Sequence, residues 1–359
     1  MAVRMTRRQA LNLLTGAVTL AVYPASAEDR LTTLYDGALV IDALSFGKEW
    51  GDDEFAALAA TGYTGIVESL PRDDLETAVD ALVEWRKQAA RHHDRLMLAL
   101  TASDFERAKR EHKTAVLLNF QDATMLEEDA DNVEALHALG MRSFQLTYNY
   151  RNSLGDGCLE RTNAGLSKFG IEVVERMNEI GVMIDLSHCG QQTTQDGIAF
   201  SAKPVAMTHT MCEALRRKHP RAKTDAQIRA CAEKGGVVGI AALGYFIGPD
   251  PGGSTTIHDY VAHIEHAVSI AGHDHVALSS DFPPQGIASW ATRDNWYKPR
   301  LEAFDASYEV RWPPWIPELD STDRFRNVIR ILDRRGWSEH ELERLLGRNW
   351  LRLFQDTIG

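Results

Sequence analysis

The 359 residues are 44% apolar and 25% charged, an ordinary balance for a globular chain with a sizeable core. Acidic residues outnumber basic ones by 51 to 39, for a net charge of −12. That surplus weighs against nucleic acid or an anionic membrane surface as partners, because both are polyanions.

The chain opens with Met5-Thr6-Arg7-Arg8-Gln9, followed by an apolar stretch over 10–23 that is too short to span a bilayer comfortably. Pro24-Ala25-Ser26-Ala27 then supplies a small-x-small cleavage site. These features predict an export signal over 1–27 and a mature chain over 28–359. The arginine pair points to twin-arginine export; Ala10, where such signals usually carry Phe, keeps general secretion open. No cysteine follows the cleavage site, which argues against a lipoprotein. Removing the signal leaves 36 basic against 51 acidic residues, a charge of −15. The expected address is a bacterial periplasm or the exterior, with no membrane span left after processing.

Strand-like apolar runs start near Ala38, Tyr63, Thr114, Met141, Gly181, Pro204, Gly236 and His275. A ninth, shorter run over 96–100 is expected at an edge. Helical patterns lie between them, as over 74–92, 132–139, 170–180, 225–233 and 259–270. Regular alternation predicts an α/β protein, and eight units fit a single-domain (β/α)8 TIM-like barrel. A doubly wound open sheet is the alternative. Residues 282–320 break the rhythm with Trp290, Trp296, Trp312, Trp315 and several prolines, which places a lid or pocket wall over the barrel mouth. Two amphipathic helices, 323–332 and 339–354, close the chain, the second capped by Ser338.

Chemistry gathers at strand ends. The runs 181–188 and 204–209 end in His188 and His209, and 275–282 carries Asp281. Imidazoles and a carboxylate at the C-terminal tips of barrel strands suit a divalent metal such as zinc and metal-assisted hydrolysis. Asp185, of opposite parity to His188, is expected to face the helices. His263 and His266, spaced i, i+3, are expected on the surface. Cys158, Cys189, Cys212 and Cys231 could form two bridges after export, but buried filler is the simpler role.

Several motifs, taken in order, resemble the membrane (renal-type) dipeptidase family, the M19 metallopeptidases. They are Asp-Leu-Ser-His188, Thr-His209-Thr, His219-Pro-Arg221-x-x-Thr-Asp225, Glu233-Lys-Gly-Gly-Val-Val-Gly239, Ser280-Asp281-Phe282 and Leu346-Gly-Arg-Asn-Trp-Leu-Arg-Leu-Phe354. The resemblance spans about 36–355. It implies a (β/α)8 barrel with a two-zinc site that cleaves dipeptides bearing a free C-terminal carboxylate. By that resemblance His188 and His209 hold one zinc, Asp281 moves the proton, and Arg221 grips the substrate carboxylate, a task suited to a planar guanidinium.

The departures are equally specific. Where the family's first strand ends in His-x-Asp, this chain has Leu44 and Phe46, which with Asp42 would share one strand face. The metal-bridging glutamate becomes Gln121, with Asp122 beside it, and a substrate-contacting histidine becomes Tyr148. Asp42 remains and is expected to orient its neighbours. Two divalent cations about 3.5–4 Å apart repel by roughly 17–19 kcal/mol at an effective dielectric near 20, and here most of the offsetting carboxylates are gone. The expected occupancy is therefore at most about one zinc per chain, or none. Two functions follow. One is a metal-dependent hydrolase of dipeptides or small amides, with Asp281 as proton relay. The other is a divergent member without ordinary peptidase activity that binds or modifies a small peptide-like metabolite. Either takes a small peptide-like substrate, and the sequence is compatible with a homodimer.

Overall fold

A computed structural model describes residues 26–47, 50–248 and 255–359; nearly all of the expected export signal lies outside them. Ten strands form one parallel arrangement: β1 (Ile41–Ser45), β2 (Gly65–Leu70), β3 (Leu96–Leu98), β4 (Thr114–Phe120), β5 (Met141–Gln145), β6 (Met183–Asp185), β7 (Ala206–Cys212), β8 (Ala222–Lys223), β9 (Val237–Ile240) and β10 (Val276–Leu278). Eight follow the order β1-β2-β4-β5-β6-β7-β9-β10, while β3 pairs with β4 and β8 with β7. The short run at 96 is thus an edge strand. The ring is nearly closed where Asp281 N–H donates to the Leu44 carbonyl (3.0 Å) and Ser280 N–H donates to Asp42 Oδ1 (2.8 Å). Helices alternate with the strands, among them Leu75–Arg91, Asn132–Leu139, Lys168–Ile180, Asp225–Glu233 and Ile257–Ala271. The fold is a single-domain TIM-like barrel.

Strand parity divides the core in two. Ile41, Ala43, Val67, Ala115, Leu117, Met183, Ala206, Val237 and Ala277 form an inner cluster with Phe105, Trp350 and Phe354. Their alternates, including Ile66, Val116, Leu118, Ile184, Met207 and Val238, join the larger layer beneath the helices. Strands buried on both faces read as continuous apolar runs, which is why the eight are visible in the sequence. The last helical stretch is less regular than its periodicity suggests. Ser338 caps Glu339–Glu343 through a capping box, but a wider turn over Arg344–Arg348 precedes the helix Asn349–Thr357. Gly347 sits in that turn because a Cβ there would lie 2.4 Å from the Leu39 carbonyl oxygen.

Three sequence expectations are corrected. A register shift between Asp42 and Ser45 breaks the alternation of β1, so Asp42, Leu44 and Phe46 do not share one face. Asp185 has the parity of inner Met183 and pairs with inner Ala206, so it points into the barrel rather than toward the helices. His263 is buried: its Nδ1 accepts from Cys212 N–H (3.0 Å) and its Nε2–H donates to the Ile247 carbonyl (3.1 Å), leaving a neutral structural imidazole. The four cysteines are free thiols.

Candidate active site

Loops following six of the eight barrel strands meet around a cavity of about 100 Å³. Phe46 follows β1, Gln121 follows β4, Tyr148 follows β5, His188 follows β6, Tyr245 and Phe246 follow β9, and Asp281 follows β10. Trp296, Arg300, Phe304 and Tyr308 of the aromatic segment form the remaining wall. The segment that interrupts the α/β rhythm therefore forms a wall of the barrel mouth.

His188 and His209 are both buried, and their Nε2 atoms stand 3.0 Å apart. The remaining nitrogens are committed. His188 Nδ1–H donates to Asn149 Oδ1 (2.7 Å). The Thr208 hydroxyl donates to Asp185 Oδ2 (2.5 Å) and so receives the Nδ1–H of His209 (2.8 Å). The two Nε2 atoms face each other, so that a proton on one makes a hydrogen bond to the other. Burial, and after it the Arg221 charge, pushes both imidazoles well below the usual histidine range, so they stay neutral as metal ligands must. Tyr148 stacks on His188 with centroids 4.1 Å apart, and the Arg72 guanidinium lies 4.5 Å from the centroid of the Tyr148 ring. Gly157 packs under this loop, where a Cβ would lie 2.2 Å from the Tyr148 carbonyl oxygen.

Asp281 has φ +58°, in the left-handed region that aspartate tolerates better than most side chains. Such strain at a cavity wall is characteristic of sites held by surrounding structure. Burial raises its carboxyl to about 7, against the opposing charges of Arg221 and Arg300. Beneath it, Asp42 accepts from both the amide and the hydroxyl of Ser280, fixing the turn that carries Asp281.

The other sequence-derived positions take distinct places. Gln121 lines the cavity and donates from Nε2 to Ser69 Oγ (2.7 Å). Asp122 stays outside, tying its own loop to Asn152 Nδ2 and to the Tyr148 amide. Phe46 reaches the cavity, whereas Leu44 is fully buried and is not part of its wall. Arg221 is also fully buried away from the wall: Nη1 donates to the Ser187 carbonyl and Nη2 to the His209 carbonyl (2.7 Å), so it clamps the two histidine-bearing segments together.

The model of the membrane dipeptidase family, peptidase family M19, matches residues 14–295. The chain belongs to this family. An uncharacterised family relative from Klebsiella pneumoniae, encoded in the pqqA 5′ region, is 28% identical over 80% of this chain and 99% of its own. The dipeptidase verJ of Clonostachys rogersoniana is 28% identical over 74% of this chain, which spans about three-fifths (61%) of that protein. Among solved structures, an amidohydrolase from Pseudomonas aeruginosa superposes with TM-score 0.81 at 28% identity, over 91% of this chain and 98% of its own. A metallopeptidase from Rhodobacter sphaeroides, liganded with a phosphinate mimic of L-Ala-D-Ala, shares the fold with TM-score 0.71 at 18% identity, over 89% of this chain and 99% of its own.

Measured against this metallopeptidase family, the donor set fits one half of a two-metal centre. Two imidazole nitrogens on one tetrahedral zinc at about 2.0–2.1 Å stand roughly 3.3–3.4 Å apart, so the 3.0 Å His188–His209 spacing would have to open by about 0.3–0.4 Å to hold one. The other half does not fit, since Leu44, Phe46 and Gln121 offer no anionic or imidazole donor. Among the described residues no cluster of three or more His, Cys, Asp or Glu side chains suits a metal. Sequence reading missed the groups that orient the imidazoles, Asn149, Thr208 and Asp185. It also missed Arg300. Asn149 follows Tyr148 and Thr208 precedes His209, so adjacency was the available signal; Arg300 had none beyond its place in the aromatic segment.

Proposed function

We propose that this M19 member is a hydrolase of dipeptides or closely related small amides, working with a reduced metal centre of at most about one zinc per chain held by His188 and His209. The observation that carries this reading is the convergence of Asp281, His188, Gln121 and Tyr148 on one cavity at the barrel mouth. When bound, zinc supplies Lewis acidity, lowering the pKa of water from about 15.7 toward 7. Asp281 takes the proton as water adds to the amide carbon and returns it to the nitrogen as the C–N bond breaks. A carboxyl near 7 serves both directions at neutral pH. Asn149 and the Asp185–Thr208 pair hold the imidazoles in register. The aromatic segment supplies one wall of the cavity.

The expected export signal would put this chemistry in the periplasm or outside the cell; among the described residues no helix is long and apolar enough to cross a membrane. A mature N-terminus near Glu28 by mass spectrometry would support export, and a retained Met1 would count against it.

A second reading is favoured by Phe46 and Gln121, which put a hydrophobe and a neutral amide where family members carry metal ligands. It makes the protein a binder or modifier of a small peptide-like metabolite. A dipeptide panel assayed with purified, zinc-supplemented protein decides between them. The hydrolase reading expects release of free amino acids, reduced about 10²–10⁴-fold by Asp281→Asn. Ligand binding without cleavage would sink it in favour of the second.

A further inference from the structure

The cavity contains one cationic side chain among its described lining residues, and it is not Arg221. Arg300 belongs to the short helix Lys298–Ala303 and lines the cavity beside Asp281, His188 and Tyr148. Its guanidinium lies 4.0 Å over the Trp296 ring, and Nη1 donates to the Trp296 carbonyl (3.1 Å). Among the described residues no carboxylate lies within ion-pair distance of it, and neither Nε nor Nη2 has a hydrogen-bond acceptor. Tyr150 Oη donates to the Ala303 carbonyl (3.3 Å), pinning the end of this helix to the loop after β5. The arginine is thus held in place by stacking and one backbone bond, with two N–H edges left to serve a ligand.

Its surroundings are mixed. Phe46, Leu243, Phe246, Ile287 and Phe304 give the roughly 100 Å³ space an apolar side, and the polar tips of Gln121, Tyr148, Tyr245, Tyr308 and Asp281 share it. A stacked guanidinium in a small aromatic chamber is suited to a planar anionic group attached to an apolar body.

We propose that Arg300 is the anion-binding, specificity-determining residue of this site, and that the ligand is a small carboxylate with an aromatic or branched apolar side chain. Arg221, held by two carbonyls, acts as a positioning residue instead. The inference builds on the hydrolase reading for the location of the substrate, but it concerns binding and is tested without turnover.

The probes are 3-phenylpropionate and the neutral methyl ketone of the same skeleton, 4-phenylbutan-2-one, neither of which has an amide bond to cleave, titrated calorimetrically and by tryptophan fluorescence against the full chain. Wild-type protein should bind the carboxylate about ten- to a hundredfold more tightly than the ketone, the worth of a charge-assisted pair. Arg300→Gln should erase that difference by weakening carboxylate binding, and Arg300→Lys should restore part of it. Circular dichroism confirms that each variant is folded. Equal binding of both probes, no binding of either at millimolar concentration, or a preference abolished by Arg72→Gln rather than by Arg300→Gln would each overturn the proposal. Carboxylate selectivity through Arg300 without dipeptide cleavage would leave this inference standing and the hydrolase reading failed. Cleavage indifferent to Arg300 would do the reverse.

Discussion

His188 and His209 face each other through Nε2 atoms 3.0 Å apart, each with its Nδ1–H already donated elsewhere. One proton shared between the two Nε2 atoms makes this contact a hydrogen bond, and its loss would open both nitrogens to one metal ion. Burial keeps both rings from the doubly protonated, cationic state that could not bind a metal. On the function proposed above, the pair is what remains of a metal centre.

Stoichiometry follows directly. Wild-type protein should carry at most about one zinc by elemental analysis, and His188→Ala should carry none, because a single imidazole is a poor site. Leu44→His, Phe46→Asp and Gln121→Glu together should raise zinc toward two and increase dipeptide cleavage. Single reversions should do little, since a half-built second site still lacks the negative charge that holds two cations together. Two tightly bound zinc ions in the wild type would refute this account.

Asn149→Ala tests the orienting bonds. Without the Oδ1 acceptor, His188 loses the partner that fixes its tautomer, and zinc affinity should fall about 10–100-fold with little change in melting temperature. Competition against a chelator measures it. Unchanged affinity would mean that the Tyr148 stack alone holds the ring.

Arg221→Lys should destabilise the protein by about 1–3 kcal/mol, because an ammonium cannot satisfy the Ser187 and His209 carbonyls in the same fork and a buried acceptor is left unpaired. Zinc affinity should fall with it, since the clamp sets the distance between the two histidine-bearing segments. Denaturant melts and zinc titration on one preparation check both. A variant as stable as wild type that loses only carboxylate binding would restore Arg221 to the substrate-gripping role.

Asp281 links activity to stability. Its carboxyl is raised to about 7 in the folded protein from an unfolded value of 3.8. Folding therefore favours the protonated form: this contribution is fully present below about pH 4 and is lost as pH rises through 7. The loss amounts to about 2–4 kcal/mol. Asp281→Asn should consequently stabilise the protein at pH 8 relative to wild type, narrow that advantage toward pH 5, and remove most activity. A thermal-shift series across pH reads the first two. A flat difference between the two proteins would show that the carboxylate is well solvated.

How much was legible in sequence differs by level. All eight barrel strands and the edge strand could be read, because strands buried on both faces must be continuously apolar and are bounded by turn residues. His188 and Asp281 could be read because each stands just beyond the end of such a run, where a parallel barrel gathers its chemistry; His209, expected to end its run, lies inside β7, which continues to Cys212. Orientation was another matter. The irregularity in β1 turned Asp42, Leu44 and Phe46 in different directions, and no local pattern announces a register shift. Asp185 was placed on the wrong face because the chain leaves strand geometry between it and His188, so counting parity across that turn fails. The contrast between Arg221 and Arg300 is wholly tertiary. The first meets two carbonyls from segments distant in sequence, and the second is carried to the cavity by a short helix of the aromatic segment. Local periodicity determines which stretches are buried; which polar atom meets which is decided only when those stretches close into a ring.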